Sequence, residues 1–249
     1  METLIDALSA AMRGDAGRPL VTFYDLATGE RIELSVATFD NWTAKIANLL
    51  GDELGREPGE RIAVHLPTHW QSTVLMVGAW RVGMVLELSG ASADVTVVGP
   101  APPPGTDTSS GDVIVCSLRP LGGPALDPLP DGWLDFAVEV PPQPDVLVQP
   151  VQVTSVDPAA ASLSGLVSHG ELLEQAITTA GELGLPTGGR LITDANPARA
   201  SGMLPALAAP LAVGGSVVIV ANSSPDQRAR LADQERAATA LWLTSPQQP

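Results

Sequence analysis

Cysteine and lysine are nearly absent from the sequence, which has one of each among 249 residues. The single thiol, Cys116, excludes an internal disulfide, and its apolar surroundings in DVIVCSL favour a buried structural side chain. Because Lys45 is the only lysine, a phosphate-binding loop of the form G-x-x-x-x-G-K-[ST] is excluded. The low lysine content, with abundant alanine, glycine and proline, is the residue usage of a GC-rich genome.

Positive charge is also scarce, since 13 basic side chains stand against 28 acidic ones, giving a net charge of −15. Such a chain offers no basic surface that would release counterions from a nucleic-acid backbone, so we expect no nucleic-acid partner. No apolar run reaches the roughly 18 residues that a membrane span needs. The N-terminal residues carry acids before any base, unlike a secretory signal. We therefore expect a cytoplasmic protein without a membrane span.

Short apolar runs alternate with segments of helical periodicity along most of the chain. The runs RIAVHL, DVIVCSL, RLITD and GSVVIVA are typical of strands buried inside a parallel sheet. Between such runs apolar residues recur at helical spacing, as at Phe39, Trp42 and Ile46. The pattern predicts an α/β fold with largely parallel sheets flanked by helices. We expect two interleaved lobes, built from residues of about 1–99 and 146–249, and a proline-rich irregular connection over about 100–145.

Residues 146–173 have the frame of a phosphate-binding segment. The apolar run Val146–Val153 predicts a strand, and Ser168 and Glu171 form an S-x-x-E capping box that predicts the start of a helix. A strand, a loop and a helix in this order often hold a phosphate at the helix N-terminus. The predicted loop, 154–167, has a single glycine, Gly165, and no lysine. Its ability to bind phosphate is therefore in question.

The order of features from residue 35 to residue 88 resembles the start of the AMP-forming acyl-CoA synthetase and adenylation-domain superfamily. The likeness lies mainly in PGERIAVHLP and GAWRVGMVLEL, and later in GMLPALAAPLAVGGSVVIV and RAATALWLTSP. The resemblance implies a truncated synthetase N-terminal domain. It also implies an ancestral reaction in which ATP and a carboxylate give an acyl-adenylate.

The phosphate loop of that superfamily has the form [ST]-S-G-[ST]-T-G-x-P-K-G and is followed shortly by [ST]-H. Under the resemblance its lysine falls on Leu163 or Ser164, and Asp157 adds a negative charge where triphosphate would lie. Like charges about 4 Å apart, at an effective dielectric constant near 20, repel by about 4 kcal/mol. His169 would contact a phosphate or, as we expect, a backbone carbonyl. The residual phosphate-loop positions would be Thr154, Ser155, Ser164, Gly165, Ser168 and His169.

Other signature residues of the superfamily are absent as well. Its aromatic-His pair is replaced within ANPARASGM, and its adenine-binding Y-G-x-[ST]-E and ribose-binding aspartate would follow the last residue of this sequence. We expect no catalytic residue, no metal ligand and no cofactor. The resemblance then predicts a pseudoenzyme with an interaction or regulatory role, whose partner is an unknown protein or a second copy of the chain.

Two alternatives stay open. The first is a short or partner-completed adenylate-forming ligase, which would use ATP and Mg²⁺. The second is a small-molecule binding module, for which the apolar helical run from Met203 to Val213 is the pointer. His65 and His69 lie four residues apart on either side of Pro67 and are expected to be ordinary histidines. The end segment ALWLTSP is predicted to be a sheet edge shielded by Pro246 and Pro249, or a dimer contact.

Overall fold

The computed structural model describes residues 1–243. The strands are β1 (Pro19–Asp25), β2 (Glu30–Ser35), β3 (Arg61–His65), β4 (Val85–Glu87), β5 (Val95–Val98), β6 (Asp112–Val115), β7 (Trp133–Asp135), β8 (Pro158–Ser162), β9 (Gly165–Ser168), β10 (Arg190–Thr193), β11 (Ser216–Ala221) and β12 (Thr239–Leu241). The helices are α1 (Leu4–Gly14), α2 (Val36–Asn48), α3 (Trp70–Arg81), α4 (Phe136–Glu139), α5 (His169–Glu182), α6 (Ala200–Met203), α7 (Ala209–Ala212) and α8 (Pro225–Gln234). A π-helical segment follows α2 at Leu49–Glu53, and another joins α6 to α7 at Leu204–Ala208.

The chain forms two compact units. One comprises residues 1–39, 68–70 and the described residues from 171 onward, and the other comprises residues 40–67 and 71–170. Both segments that were predicted to form lobes, 1–99 and 146–249, contribute to both units. The proline-rich region 100–145 lies within the second unit, where it contains β6, β7 and α4.

The first unit contains a five-stranded sheet in the order β12-β10-β11-β1-β2. All neighbouring strands are parallel except β1 and β2, which form an antiparallel hairpin. The continuous apolar run of β11 is explained by its central place, because parallel sheets are covered on both faces. Tyr24, Ile192, Val218, Val220 and Leu231 form a buried apolar cluster in this unit.

The second unit contains a seven-stranded sheet in the order β7-β6-β5-β3-β4-β8-β9. Its neighbouring strands are parallel except β8 and β9. The α/β class with largely parallel sheets is therefore confirmed. No helix within residues 1–243 is long and apolar enough to cross a membrane.

The strand predicted at Val146–Val153 is wrong, because this run contains no strand. Its backbone bonds instead to a side chain of α2: Asn48 Nδ2 donates to the carbonyls of Pro144 (3.0 Å) and Val146 (2.8 Å). The backbone N–H of Val148 donates to Asn48 Oδ1 at 3.0 Å. Since these backbone groups find partners in a side chain, they need no neighbouring strand.

The loop predicted at 154–167 is also wrong, because most of it is the antiparallel β8–β9 hairpin. Ala159, Ala160 and Ala161 are buried in β8, which pairs in parallel with β4. The indole N–H of Trp80 donates to the carbonyl of Ala159 at 2.9 Å. The three consecutive alanines therefore belong to a buried strand and not to a loop. The helix start predicted at the capping box is confirmed, since α5 begins at His169.

β12 overlaps the start of the end segment ALWLTSP and lies at an edge of the five-stranded sheet. Pro246 and Pro249, which were predicted to shield this edge, lie outside the described residues. The backbone N–H of Leu243 donates to Asp194 Oδ1 at 2.7 Å, and Asp194 also pairs with Arg228 at 3.0 Å. These contacts attach the end of the described chain to β10 and α8.

Candidate functional site

The candidate site is the β8–β9 hairpin together with the residues on either side of it, 154–170, all within the second unit. β8 ends at Ser162 and β9 begins at Gly165, so the turn between them consists of Leu163 and Ser164 alone. The phosphate loop of the acyl-CoA synthetase and adenylation-domain superfamily, which the sequence resembles, is ten residues long. A two-residue turn has too few backbone amides to surround a triphosphate.

The residual phosphate-loop positions lie at opposite ends of the hairpin. At the base, the N–H of His169 donates to the carbonyl of Asp157 at 2.9 Å. Ser164 and Gly165 lie at the tip, and Ser168 is the last residue of β9. A strand rises by about 3.4 Å per residue, so Gly165 and Ser168 are roughly 10 Å apart. The structure thus brings Thr154, Ser155, Ser168 and His169 together and separates them from Ser164 and Gly165.

The first amides of α5 are already bonded to the chain's own carbonyls. Besides the His169 bond, the N–H of Gly170 donates to the carbonyl of Ser155 at 2.8 Å. A Cβ on Gly170 would lie 3.1 Å from that carbonyl oxygen, so glycine allows this close approach. A helix N-terminus binds phosphate through N–H groups that have no partner within the helix. Two of these groups are occupied here.

A carboxylate stands at each end of the hairpin. At the base, Asp157 Oδ2 accepts hydrogen bonds from the backbone N–H (2.7 Å) and hydroxyl (2.8 Å) of Thr154, which hold the pKa of Asp157 below its usual value. Near the tip, the buried Glu87 is the register partner of Ala161. Burial raises the pKa of Glu87, but hydrogen bonds from Ser89 and Arg61 outweigh this effect and lower it overall. Both groups are therefore anionic at neutral pH, and Arg61 neutralises only Glu87, at 2.6 Å.

The His169 side chain is a buried neutral group and does not bind a backbone carbonyl, which was the contact expected from the sequence. It is fully buried, and neither ring nitrogen has a hydrogen-bond partner among the described residues. The ring packs edge-on against Trp80 at a centroid distance of 6.0 Å. Burial lowers the pKa of His169 to about 4, against an opposing effect of Asp157. The imidazole therefore carries no charge with which to attract a phosphate at neutral pH.

The tip of the hairpin is an exposed turn. Leu163 is 92% exposed, and the hydroxyls of Ser162 and Ser164 share a hydrogen bond of 2.8 Å. Gly165 adopts φ +122°, which side-chain-bearing residues rarely adopt. Gly165 is thus explained by the turn geometry rather than by close approach to a ligand.

The other reactive residue types form no site in the described part of the chain. Residues 1–243 contain no group of three potential metal ligands among histidine, cysteine, aspartate and glutamate. His69 packs against Phe23 with ring centroids 4.6 Å apart, and burial lowers its pKa to about 4, with Asp25 opposing. Cys116 is buried, and burial raises the pKa of its thiol, which disfavours the nucleophilic thiolate.

The run from Met203 to Val213, considered as a ligand pocket, encloses little space. Leu207, Pro210 and Leu211 line a void of about 10 Å³ with Leu20 and Phe39. That volume suffices for about one water molecule. An open groove of about 350 Å³ lies along α5, lined by Glu171, Glu174, Gln175, Thr178, Thr179 and Leu204. The void is too small for an acyl group.

A contact that the sequence analysis missed is the attachment of residues 141–148 to α2. Lys45 Nζ donates to the carbonyls of Pro141 (2.9 Å) and Gln143 and pairs with Asp145 Oδ1 at 2.9 Å. Lys45 and Asn48 are three residues apart and so share one face of the helix. The spacing of Lys45 and Asn48 in α2 was the available signal.

Comparisons with known proteins agree with this fold. No family model matches the chain. A "TIGR03089 family protein" of Mycobacterium tuberculosis (strain ATCC 25618 / H37Rv) is 35% identical over 240 residues, which cover 94% of this chain and 96% of that protein. The crystal structure of an acyl-CoA synthetase from Brucella canis matches with a TM-score of 0.78 at 16% identity. The match covers 97% of this chain but 47% of that one, so the chain spans about half the synthetase.

Proposed function

The chain belongs to the TIGR03089 family, and we propose that it is a non-catalytic relative of the acyl-CoA synthetases with an interaction or regulatory role. The fold match to the Brucella canis synthetase supports the relationship. The observation that carries the loss of catalysis is the two-residue turn, Leu163-Ser164, at the position of the phosphate loop. We further propose that the protein acts in the cytoplasm and, given its charge of −15, binds no nucleic acid.

Adenylate formation depends on holding the triphosphate in line with the attacking carboxylate and on stabilising the charge that develops there. In the hairpin, the nearest amides at the start of α5 are bonded to the carbonyls of Ser155 and Asp157. The ionised Asp157 opposes a triphosphate at the base of the hairpin, the buried Glu87 near the tip is paired with Arg61, and His169 is neutral. Both the positioning and the electrostatic parts of the reaction therefore lack their donors in this segment.

The proposal is tested by exchange of labelled pyrophosphate into ATP. The full chain is incubated with Mg²⁺, ATP and a panel of short-, medium- and long-chain and aromatic carboxylates. An active acyl-CoA synthetase serves as the positive control, and a reaction without protein sets the background. We expect exchange equal to the background with every carboxylate. Carboxylate-dependent exchange clearly above it would show that the chain is an enzyme.

The ligase alternative predicts nucleotide binding, because the hydroxyls of Thr154 and Ser155 lie near the start of α5. A ligand that binds only the folded chain raises the melting temperature as its concentration exceeds its Kd. We expect no change in melting temperature with millimolar Mg·ATP. Under the alternative, a saturable increase in melting temperature would be lost in Ser155→Ala and kept in Ser109→Ala, which alters a serine between β5 and β6.

The small-molecule alternative predicts a retained ligand. The void of about 10 Å³ beside Leu207 and Leu211 argues against an acyl group at this place. Native mass spectrometry of the protein purified from its own host tests the alternative directly. We expect the mass of the chain alone or of an integral multiple of it, and an added small-molecule mass would favour the binding module instead.

A further inference from the structure

The outer edge of β9 lacks the features that normally protect a sheet edge. β9 is the last strand of the seven-stranded sheet, and within residues 1–243 no strand pairs with its outer side. Edge strands usually carry charges or prolines, which discourage pairing with another chain. The edge strand β2 carries Glu30, Arg31 and Glu33, and β7 is three residues long and ends at Asp135. β9, with the sequence GLVS, has neither a charge nor a proline.

The hairpin is an uncharged surface on a strongly acidic chain. Residues 158–170 contain no aspartate, glutamate, lysine or arginine, whereas the whole chain has a net charge of −15. Leu163 and Leu166 are 92% and 62% exposed within this segment. Two copies that meet through average surfaces bring like charges together, which costs free energy. Contact through the hairpin avoids this cost and buries exposed leucine side chains.

We propose that β9 pairs antiparallel with β9 of a second copy of this chain, which joins two seven-stranded sheets across a two-fold axis. Directly opposite residues of an antiparallel pair have side chains on the same face, and side chains alternate along a strand. A two-fold axis perpendicular to the joined sheet must therefore lie between one residue and the same residue of the second copy. Centring the axis on Leu166 places Leu166 opposite its symmetry mate, Gly165 opposite Val167, and Ser168 opposite Ser164 of the turn. This contact is independent of whether the chain catalyses a reaction.

The contact is short, so we expect a reversible dimer. Four residues of β9 and the adjoining turn bury less surface than a standard stable interface. The monomer–dimer equilibrium should therefore depend on protein concentration. Sedimentation velocity over a wide concentration series of the full chain measures its Kd.

A charge at the centre of the proposed pair provides the first test. In the dimer, Leu166→Lys places two ammonium groups opposite each other, and like charges in that position are destabilising. We expect the dimer Kd to rise by at least about tenfold. Leu126→Lys is the matched control, since Leu126 is 79% exposed in another part of the same unit and the charge change is identical. A chain that stays monomeric at every concentration, or a dimer equally affected by both substitutions, overturns the proposal.

A disulfide provides the second test and locates the axis. Directly opposite Cβ atoms in a strand pair are about 4.5–5.5 Å apart, which a disulfide bridges after a small adjustment. The single native cysteine, Cys116, is buried and leaves the background low. We expect Leu166→Cys to form covalent dimers under mild oxidation and Leu126→Cys to form far fewer. Equal yields of covalent dimer from the two variants, or no covalent dimer from either, would show that β9 does not pair with itself. Finding a different protein bound at this edge would also overturn the proposal.

Discussion

Mild acid should destabilise the fold through two buried histidines, His69 and His169. Burial lowers the pKa of each to about 4, whereas an unfolded histidine titrates near 6.5. Each imidazole is therefore neutral in the folded state, and the unfolded chain takes up protons first as the pH falls below 6.5. The resulting stability is present above pH 6.5 and is lost progressively as the pH falls towards 4.

The magnitude follows from proton linkage. For a pKa of 6.5 unfolded and about 4 folded, lowering the pH from 7 to 5 removes about 2 kcal/mol of unfolding free energy per histidine. The two histidines together remove about 4 kcal/mol, a large part of the 5–15 kcal/mol that typical domains possess. Most carboxylates stay ionised over this range, because their unfolded pKa values are about 4. The weaker self-repulsion of the acidic chain at pH 5 acts in the opposite direction.

Urea unfolding at pH 7 and pH 5, followed by tryptophan fluorescence and circular dichroism, measures the effect. His169→Phe retains an aromatic ring beside Trp80 and removes the titrating group. We expect the loss of stability between the two pH values to be about 2 kcal/mol smaller in this variant than in the unchanged chain. His69→Phe should reduce the pH-dependent loss of stability by a similar amount. Effects of overall charge cancel when each variant is compared with the unchanged chain. An equal loss in His169→Phe and the unchanged chain would refute the neutral, buried state of His169.

Two further predictions concern residues 144–165. Asn48→Ala should lower the unfolding free energy by about 3 kcal/mol, since three hydrogen bonds at about 1 kcal/mol each are lost. Asn41→Ala, at an exposed position of the same helix, should cost much less. Equal losses in the two variants would contradict the attachment of residues 144–148 to α2. Gly165→Ala should lower the unfolding free energy by about 1–2 kcal/mol because φ is +122°. Gly14→Ala, at an ordinary φ with no neighbour within 4 Å, should be nearly neutral. Thermal unfolding compares the two variants, and a neutral Gly165→Ala would contradict the turn geometry.

The sequence predicted the α/β class because its strands are short continuous apolar runs, such as SVVIVA, separated by segments of helical period. The start of α5 was predictable from the side chains at Ser168 and Glu171, because capping is a local interaction. Val146–Val153 has the composition of a strand, yet Val146 is 70% exposed and Val148 is 56% exposed. The partner of this run is Asn48, about a hundred residues away, and this contact cannot be predicted from local composition.

The candidate site was less predictable than the fold. Three consecutive alanines suit a loop, a helix or a tightly packed strand, and only the neighbouring β4 and Trp80 determine which of these forms. The burial of His169 also depends on tertiary packing, since its neighbours in sequence are polar or small. The length of the turn depends on where the two strands of the hairpin end, which is set by their pairing and not by local sequence. The loss of the phosphate site stays a prediction from the sequence, and the short β8–β9 turn supports it.

The most direct test of the proposed loss of the phosphate site is the response of individual backbone amides to Mg·ATP. Two-dimensional NMR of the isotope-labelled full chain, titrated with Mg·ATP, reports on residues 154–170 one by one. The structure predicts no saturable shift at the amides of Ser164, His169 or Gly170, because the turn is too short and the amides of His169 and Gly170 are bonded to chain carbonyls. Saturable shifts confined to these amides would contradict the account and show that the hairpin binds nucleotide.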